Sequence, residues 1–273
     1  MRITALWTYP VKGGHRLDHE SVAVESCGLA GDRRWMFVGD DGTGITQRDA
    51  PRLTQLRARP RPGGLVLSAA GLPDLDVSEP VGAPDVDVRV FRHHDPVPAR
   101  IAESRWSSAF LGRPARLAWQ ADPGARRLPP DAPAPDDQPP DGGPVNLADG
   151  FPVLLATTAS LDAVNDWLAG SGDEPVPMTR FRPNVVIGGA TAWAEDGWAG
   201  RRLRLGDVPL RAAGGCARCV VTTIDQETGT PGGQPLKALG RHRRYADGLL
   251  FAINLVPRQP YGIVRVGDPL TVE

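Results

Sequence analysis

Two cysteines three residues apart, Cys216 and Cys219, are the residues in this sequence whose type and spacing most plainly offer chemistry. They sit in "GGCARCVVTTIDQETG", from Gly214 to Gly229. A structural zinc site would need four ligands, usually two Cys-x-x-Cys pairs or a Cys pair with a closely spaced His pair. Only Cys27 and five scattered histidines remain, and His93, His94 and His242 lack that spacing. A thioredoxin-like dithiol would need its first cysteine at a helix N-terminus, where the dipole favours the thiolate. The β-branched run "VVTTI" after Cys219 instead predicts a strand. Two readings stay open on these residues alone. Both thiols are small buried hydrophobes at a strand edge, or a thiolate beside Arg218 is held as an anion and binds a soft metal centre.

Short alternating segments must position this pair. "MRITALWTYPV", "RWMFVGD", "GLVLSA", "VDVRVF", "PNVVIGG", "RLRLGDVPLRA", "LLFAINLV" and "GIVRVGDPLTVE" read as strands punctuated by Gly, Asp and Pro. Gly206-Asp207 and Gly267-Asp268 lie between apolar runs and predict hairpins. Helices are few. "TASLDAVNDWLAG" sets Leu161, Val164, Trp167 and Leu168 on one face, with Thr158 as N-cap and Gly170 past the end. "AESRWSSAFLG", ending at Gly112, and "PLKALGRHRR" are shorter candidates. "DQETG" reads as a turn in which Gly229 takes a positive φ.

The 273 residues are 41% apolar and 23% charged, ordinary for a globular chain with a core. A net charge of −1 gives no global pull toward nucleic acid or an anionic membrane. No apolar run reaches the roughly 20 residues of a membrane span, and the start, "MRITALWTYPVKGG", does not read as a signal peptide. Three cysteines make no disulfide framework, so a cytoplasmic location is expected. Nearly all the cations are arginine, and Lys12 and Lys237 are the only lysines. Residues 122–144, "DPGARRLPPDAPAPDDQPPDGGP", cannot pack a core and mark either a domain boundary or a long surface loop.

The chain as a whole resembles the MOSC-domain proteins, in the branch of the mitochondrial amidoxime-reducing component. "YPVKGG" is similar to that family's Tyr-Pro-Val-Lys-Ser segment, and "GLAGDRRWMFVGDDGTGITQRDAPRLTQL" to its Gly-Asp-Arg-x-Trp-Met and Thr-Gln-Arg-x-x-Pro-Arg-Leu block. "LADGFPVLLATTASLDAVN", "FRPNVVIGG", "AEDGW", "CARCVVTTIDQETG" and "GDPL" follow in family order. The resemblance implies a mainly β (α+β) protein. An N-terminal β-barrel-like domain spans residues 1–121, the loop or linker 122–144, and a C-terminal MOSC β-barrel with a few short helices 145–273.

The resemblance further implies a bound molybdenum cofactor (molybdenum on a molybdopterin), with Cys219 as protein ligand of the metal. Cys216 then supports the site from behind, and Cys27 is packing. Lys12, Arg33, Arg48, Arg182 and Arg218 fall on positions expected to contact the cofactor, its phosphate above all, and Asp149 and Asn184 on positions expected to bond the pterin ring. The family's serine is Gly13 here, so a backbone N–H would stand in for its hydroxyl. The function implied is reduction of small N-hydroxylated compounds to the amidine or amine plus water. No segment resembles a membrane anchor or an iron–sulfur extension, so the expected electron source is a separate ferredoxin, flavin or haem carrier with its reductase. Two other functions remain: sulfur transfer through a persulfide on Cys219, without the large pyridoxal-phosphate domain of the sulfurase, and non-catalytic carriage of the cofactor.

Overall fold

The computed structural model describes residues 1–91, 94–128 and 143–273. His93 and most of the Pro/Asp-rich segment (129–142) therefore lie outside the described residues. The ends of that segment are hydrogen-bonded to each other, Leu128 N–H to Gly143 O at 3.0 Å and Val145 N–H to Arg126 O at 3.0 Å. The chain thus returns to where it left.

The protein is mainly β. The largest sheet runs, edge to edge, through Leu270–Val272, Arg202–Leu205, Val208–Ala217, Gly248–Pro257, Val153–Thr157, Val185–Gly188, Arg2–Thr8 and Leu17–His19. Its one parallel pair, Val153–Thr157 with Val185–Gly188, is connected by the helix Thr158–Gly170, as a parallel crossover requires. The sheet curls until the start of Leu270–Val272, at one edge, meets Arg2–Thr8, one strand in from the other edge. Ile3 N–H reaches Asp268 O at 2.9 Å, and Leu270 N–H reaches Met1 O at 3.0 Å. Contact at that seam is a few bonds and not a full ladder, so the form is barrel-like and stops short of the closed barrel expected. Ile3, Leu6, Val153, Leu155, Leu203, Leu210, Ile253 and Leu255 fill the interior as the inward half of alternating patterns.

A four-stranded antiparallel sheet orders Trp35–Val38, Arg116–Trp119, Val97–Glu103 and Asp85–Val88, and a three-stranded meander contains Arg57–Arg61, Gly64–Ser68 and Leu75–Ser78. Between them lies a core of Trp35, Phe37, Leu53, Trp106, Phe110 and Leu117. Sheets and sequence halves do not coincide. Arg2–Thr8 belongs to the large sheet, and Ile263–Arg265 pairs back with Ser21–Glu25.

Local chemistry corrects three expectations. Thr157, not Thr158, caps the long helix, accepting from Ser160 N–H at 3.2 Å. Gly206-Asp207 forms a two-residue hairpin, whereas Gly267-Asp268 only turns the chain from one sheet into the next. Val220–Thr223 is a short 3₁₀ helix and not a strand. Thr222 and Thr223 donate their hydroxyls to the carbonyls three residues back, Cys219 O at 2.9 Å and Val220 O at 2.8 Å, so side-chain bonding overrides β-propensity.

Candidate functional site

Every residue singled out above, Lys12, Arg33, Arg48, Asp149, Arg182, Asn184, Arg218 and Cys219, lines one cleft of about 860 Å³, counted with its open mouth. Both sequence halves build it. Of its charged lining residues five are cations and one, Asp149, is a carboxylate. A concave surface with that imbalance attracts an anion.

Cys216 and Cys219 enter from the long strand Val208–Ala217. Its register against Gly248–Pro257 slips at Ala212/Gly214 and again at Gly215/Ala217, two irregularities of the kind that re-aim side chains at sites. Cys219 follows and opens the 3₁₀ turn. Each thiol has its own arginine, but not the one that the motif suggests. Arg48 Nη2 donates to Cys219 Sγ at 3.0 Å, while Arg218 Nη1 donates to Cys216 Sγ at 2.9 Å and its Nη2 to Phe181 O at 2.6 Å. Arg218 is next to Cys219 only in sequence. The third cysteine, Cys27, is 3% exposed, and burial pushes its thiol up to about 11, which makes it inert.

Lys12 is buried and donates to Asp149 Oδ1. Desolvation lowers its ammonium to about 8, with Asp149 opposing that fall. Burial would raise the Asp149 carboxyl, but the Lys12 charge and hydrogen bond, then Arg48 and Arg33, hold it well below the usual carboxylate range. Its second oxygen stands 3.9 Å from Arg48 Nη2, so charged groups run without a break from Lys12 to Cys219. Gly13 follows Lys12 at φ +80°, a conformation a side chain rarely adopts, and a Cβ there would lie 3.1 Å from Leu53 Cδ1.

Asn184 has a different job from the one expected. It is 1% exposed and its amide is fully engaged: Nδ2 donates to Trp7 O and Asp32 Oδ2, and Oδ1 accepts from Arg33 Nη1 and Leu154 N–H. It positions Arg33 and is not free to bond a ligand. Arg33, paired with Asp32, and Arg182 both lie over the Tyr9 ring, with guanidinium carbons 4.5 and 4.1 Å from its centroid. Desolvation brings Arg182 down to about 10. Arg182 also donates to Gly14 O at 3.0 Å and Gln226 Oε1 at 2.8 Å.

Sequence reasoning missed four supports. Tyr9 underlies two arginines, Asp32 anchors one of them, and Gln47 with Gln226 forms a reciprocal buried amide pair at 3.0 Å across the halves. Arg126 holds the loop carrying Asp149 through Asn146 O and Ala148 O. "DQETG" is the turn expected, with Asp225 Oδ1 accepting from the 227 and 228 N–H groups and Gly229 at φ +75°.

Models of two families match the sequence: the MOSC N-terminal beta barrel domain over residues 1–114 and the MOSC domain over residues 142–271. The chain belongs to the MOSC family. Human mitochondrial amidoxime-reducing component 1 is 32% identical over 98% of this chain and 82% of its own length, and the mouse protein of that name is 30% identical over 98% and 81%. A rice molybdenum cofactor sulfurase is 29% identical over 93% of this MOSC chain but only 32% of its own length. Among the described residues no helix is long and apolar enough to cross a membrane, and no three His, Cys, Asp or Glu converge to hold a bare metal ion.

Proposed function

We propose that this MOSC protein is a molybdenum-cofactor-dependent reductase of small N-hydroxylated compounds that takes its electrons from a separate protein. The observation that carries the proposal is the cleft: two part-exposed thiols, Cys216 and Cys219, sit in a lining of five cations and one carboxylate, and Cys219 is the one on the family's metal-ligand position. That donor set fits a phosphate-bearing cofactor whose own sulfur atoms supply the remaining metal ligands. A single protein sulfur would hold no bare ion by itself.

When bound, the cofactor supplies the two-electron chemistry that removes oxygen from N–OH. Cys219 Sγ is the soft ligand, and Arg48 keeps a donor on that sulfur at 3.0 Å. Lys12, Arg33 and Arg182 hold the phosphate, and because they are already fixed by Asp149, Asp32, Tyr9 and Gln226, little ordering is left for the ligand to impose. Asn184 fixes Arg33. Asp149, which lines the same cleft while it holds Lys12, would face the pterin ring. The similarity to the amidoxime-reducing components over nearly the full chain supports this reading.

The test is metal and pterin analysis of purified protein, followed by reduction of benzamidoxime with a small-molecule reductant. Molybdenum at about one per chain with turnover is the expected result. Molybdenum without turnover would make the protein a carrier, and cyanide-labile sulfur on Cys219 in place of molybdenum would make it a sulfur-transfer protein.

A further inference from the structure

Asn254 is a polar side chain in the middle of an apolar strand. It sits in Gly248–Pro257 between Ile253 and Leu255, which are 1% and 0% exposed and fill the barrel interior. Alternation turns Asn254 to the other face, where it is part-buried and lines the cleft. Its Nδ2 donates to Gly215 O at 3.3 Å. A carbonyl can only accept, so the amide nitrogen must take that side, and Oδ1 is left to the cleft. Among the described residues nothing donates to Oδ1. The reductase reading gives this unspent acceptor no task.

The cleft floor here is a rung across the large sheet. Asn184 N–H donates to Leu154 O, Leu154 pairs with Asn254, and Asn254 pairs with Gly214. Neighbouring strands lie about 4.8 Å apart, so Asn254 stands roughly 10 Å from Asn184, which holds Arg33 at the cationic end. Around Asn254 the neighbours are uncharged or already engaged. Leu154 and Phe151 are part-buried and apolar, and Gly214 and Gly215 carry no side chain. The Arg218 guanidinium is committed to Cys216 and to Phe181 O. A phosphate held by Lys12, Arg33 and Arg182 therefore leaves this end of the floor to another group. That end adjoins the thiols, since Gly215, which accepts from Asn254, directly precedes Cys216.

We propose that Asn254, with Phe151 and Leu154, forms the substrate subsite, and that it selects N-hydroxylated amidines, R–C(NH₂)=N–OH, over oximes that lack the amino group. The inference rests on the reductase reading above. The group R lies on Phe151 and Leu154, and the amino N–H donates to Asn254 Oδ1. A site with a placed acceptor discriminates against the analogue that cannot pair with it, because the acceptor is then desolvated without a partner. Asn254 sets specificity in this scheme and takes no part in electron or proton transfer.

Benzamidoxime and benzaldoxime differ only in that amino group, and two arms use the pair. The first is a ligand-observed NMR titration of the purified protein without reductant, so that nothing turns over. Wild type should bind benzamidoxime about fivefold more tightly than benzaldoxime, the ordinary worth of one hydrogen bond. Asn254→Leu should weaken benzamidoxime alone and bring the two within about twofold, while Asn254→Asp, which keeps an acceptor, should retain the preference. No preference in wild type, or one that survives in Asn254→Leu through equal loss of both ligands or of neither, overturns the subsite. The second arm is turnover with reduced methyl viologen. Asn254→Leu should raise KM for benzamidoxime about fivefold and leave kcat and molybdenum content unchanged. Loss of kcat or of molybdenum instead means that Asn254 holds the cofactor, and overturns the substrate contact. A wild type that shows the binding preference and reduces neither compound sinks the reductase reading and leaves the subsite standing. One that reduces both with equal KM does the reverse.

Discussion

Arg48 and Cys219 are 171 residues apart in the chain and 3.0 Å apart in the cleft, guanidinium to sulfur. This contact joins the two sequence halves at the atom assigned to the metal, and it makes Arg48 rather than Arg218 the partner of that sulfur. Arg48→Ala should slow alkylation of Cys219 by iodoacetamide at neutral pH severalfold, because a charge-assisted donor is lost. Arg218→Ala should alter Cys216 instead. Peptide mapping of the alkylated protein separates the two, and equal slowing of Cys219 in both variants would refute the pairing.

The cysteines should also separate by function. Cys219→Ser exchanges a soft sulfur for a hard hydroxyl, so molybdenum content and amidoxime reduction should both vanish while the circular dichroism spectrum is kept. Cys216→Ser should cost at most about 1 kcal/mol of stability and leave substantial activity. Equal loss would mean that the two thiols act as a unit.

Lys12 gives the site a pH dependence. Its ammonium deprotonates at about 8 in the folded chain against 10.5 for an ordinary lysine. Between those values the unfolded chain binds the extra proton, so this group favours folding as pH rises. Anion binding runs the opposite way, since the cation is lost through pH 8. Affinity for inorganic phosphate should fall between pH 7 and 9 in wild type and stay flatter in Lys12→Arg. Lys12→Ala should weaken cofactor retention by about 1.5–3 kcal/mol, the range of a hydrogen bond to a charged group. Full retention after dialysis would remove Lys12 from the phosphate.

Asn184→Ala should destabilise the protein by about 2–3 kcal/mol, because it strands Trp7 O, Leu154 N–H and one bond each of Asp32 and Arg33 in the interior. Urea unfolding reads this directly. A loss below 0.5 kcal/mol would mean that water replaces the amide.

Gly13→Ser, which restores the residue found in the family segment, should be unfavourable here by about 1–2 kcal/mol. The backbone is at φ +80° and the new Cβ would press on Leu53. A thermal melt no lower than wild type would show that the loop can relax.

The strands read from the sequence were legible because their alternation is imposed by burial on one face, as Leu65 and Leu67 or Leu203 and Leu205 show, whereas Ser21–Glu25, with Val22 and Val24 buried, is not among them. The cleft residues were legible through family motifs, and all eight line one space. What sequence could not convey is which neighbour a side chain faces. Arg218 donates to Cys216 and not to Cys219, just after the strand slips register around Gly214 and Gly215; that glycine pair marks a bulge but does not say which thiol the arginine will face. "VVTTI" misled for a related reason, since its threonines bond back to the chain. Tyr9, Asp32, Gln47 and Gln226 escaped notice because buried polar groups announce themselves only through partners far away in sequence.

The first strand has a further consequence. Arg2–Thr8 pairs with Val185–Gly188 and is sealed by residues 267–270. During synthesis Leu17–His19 can pair with one side of it early, but Val185–Gly188 and residues 267–270, on its other side, come much later, a long-range topology that folds slowly. Ile3 and Leu6, each 1% exposed, meanwhile have no core to enter. Residues 142–271 alone would lack the two strands at one end of their sheet, Arg2–Thr8 and Leu17–His19, and leave Val185–Gly188 as a raw edge. Neither half completes the cleft by itself, since Lys12, Arg33 and Arg48 come from residues 1–114 and Asp149, Arg182, Asn184, Arg218 and Cys219 from residues 142–271.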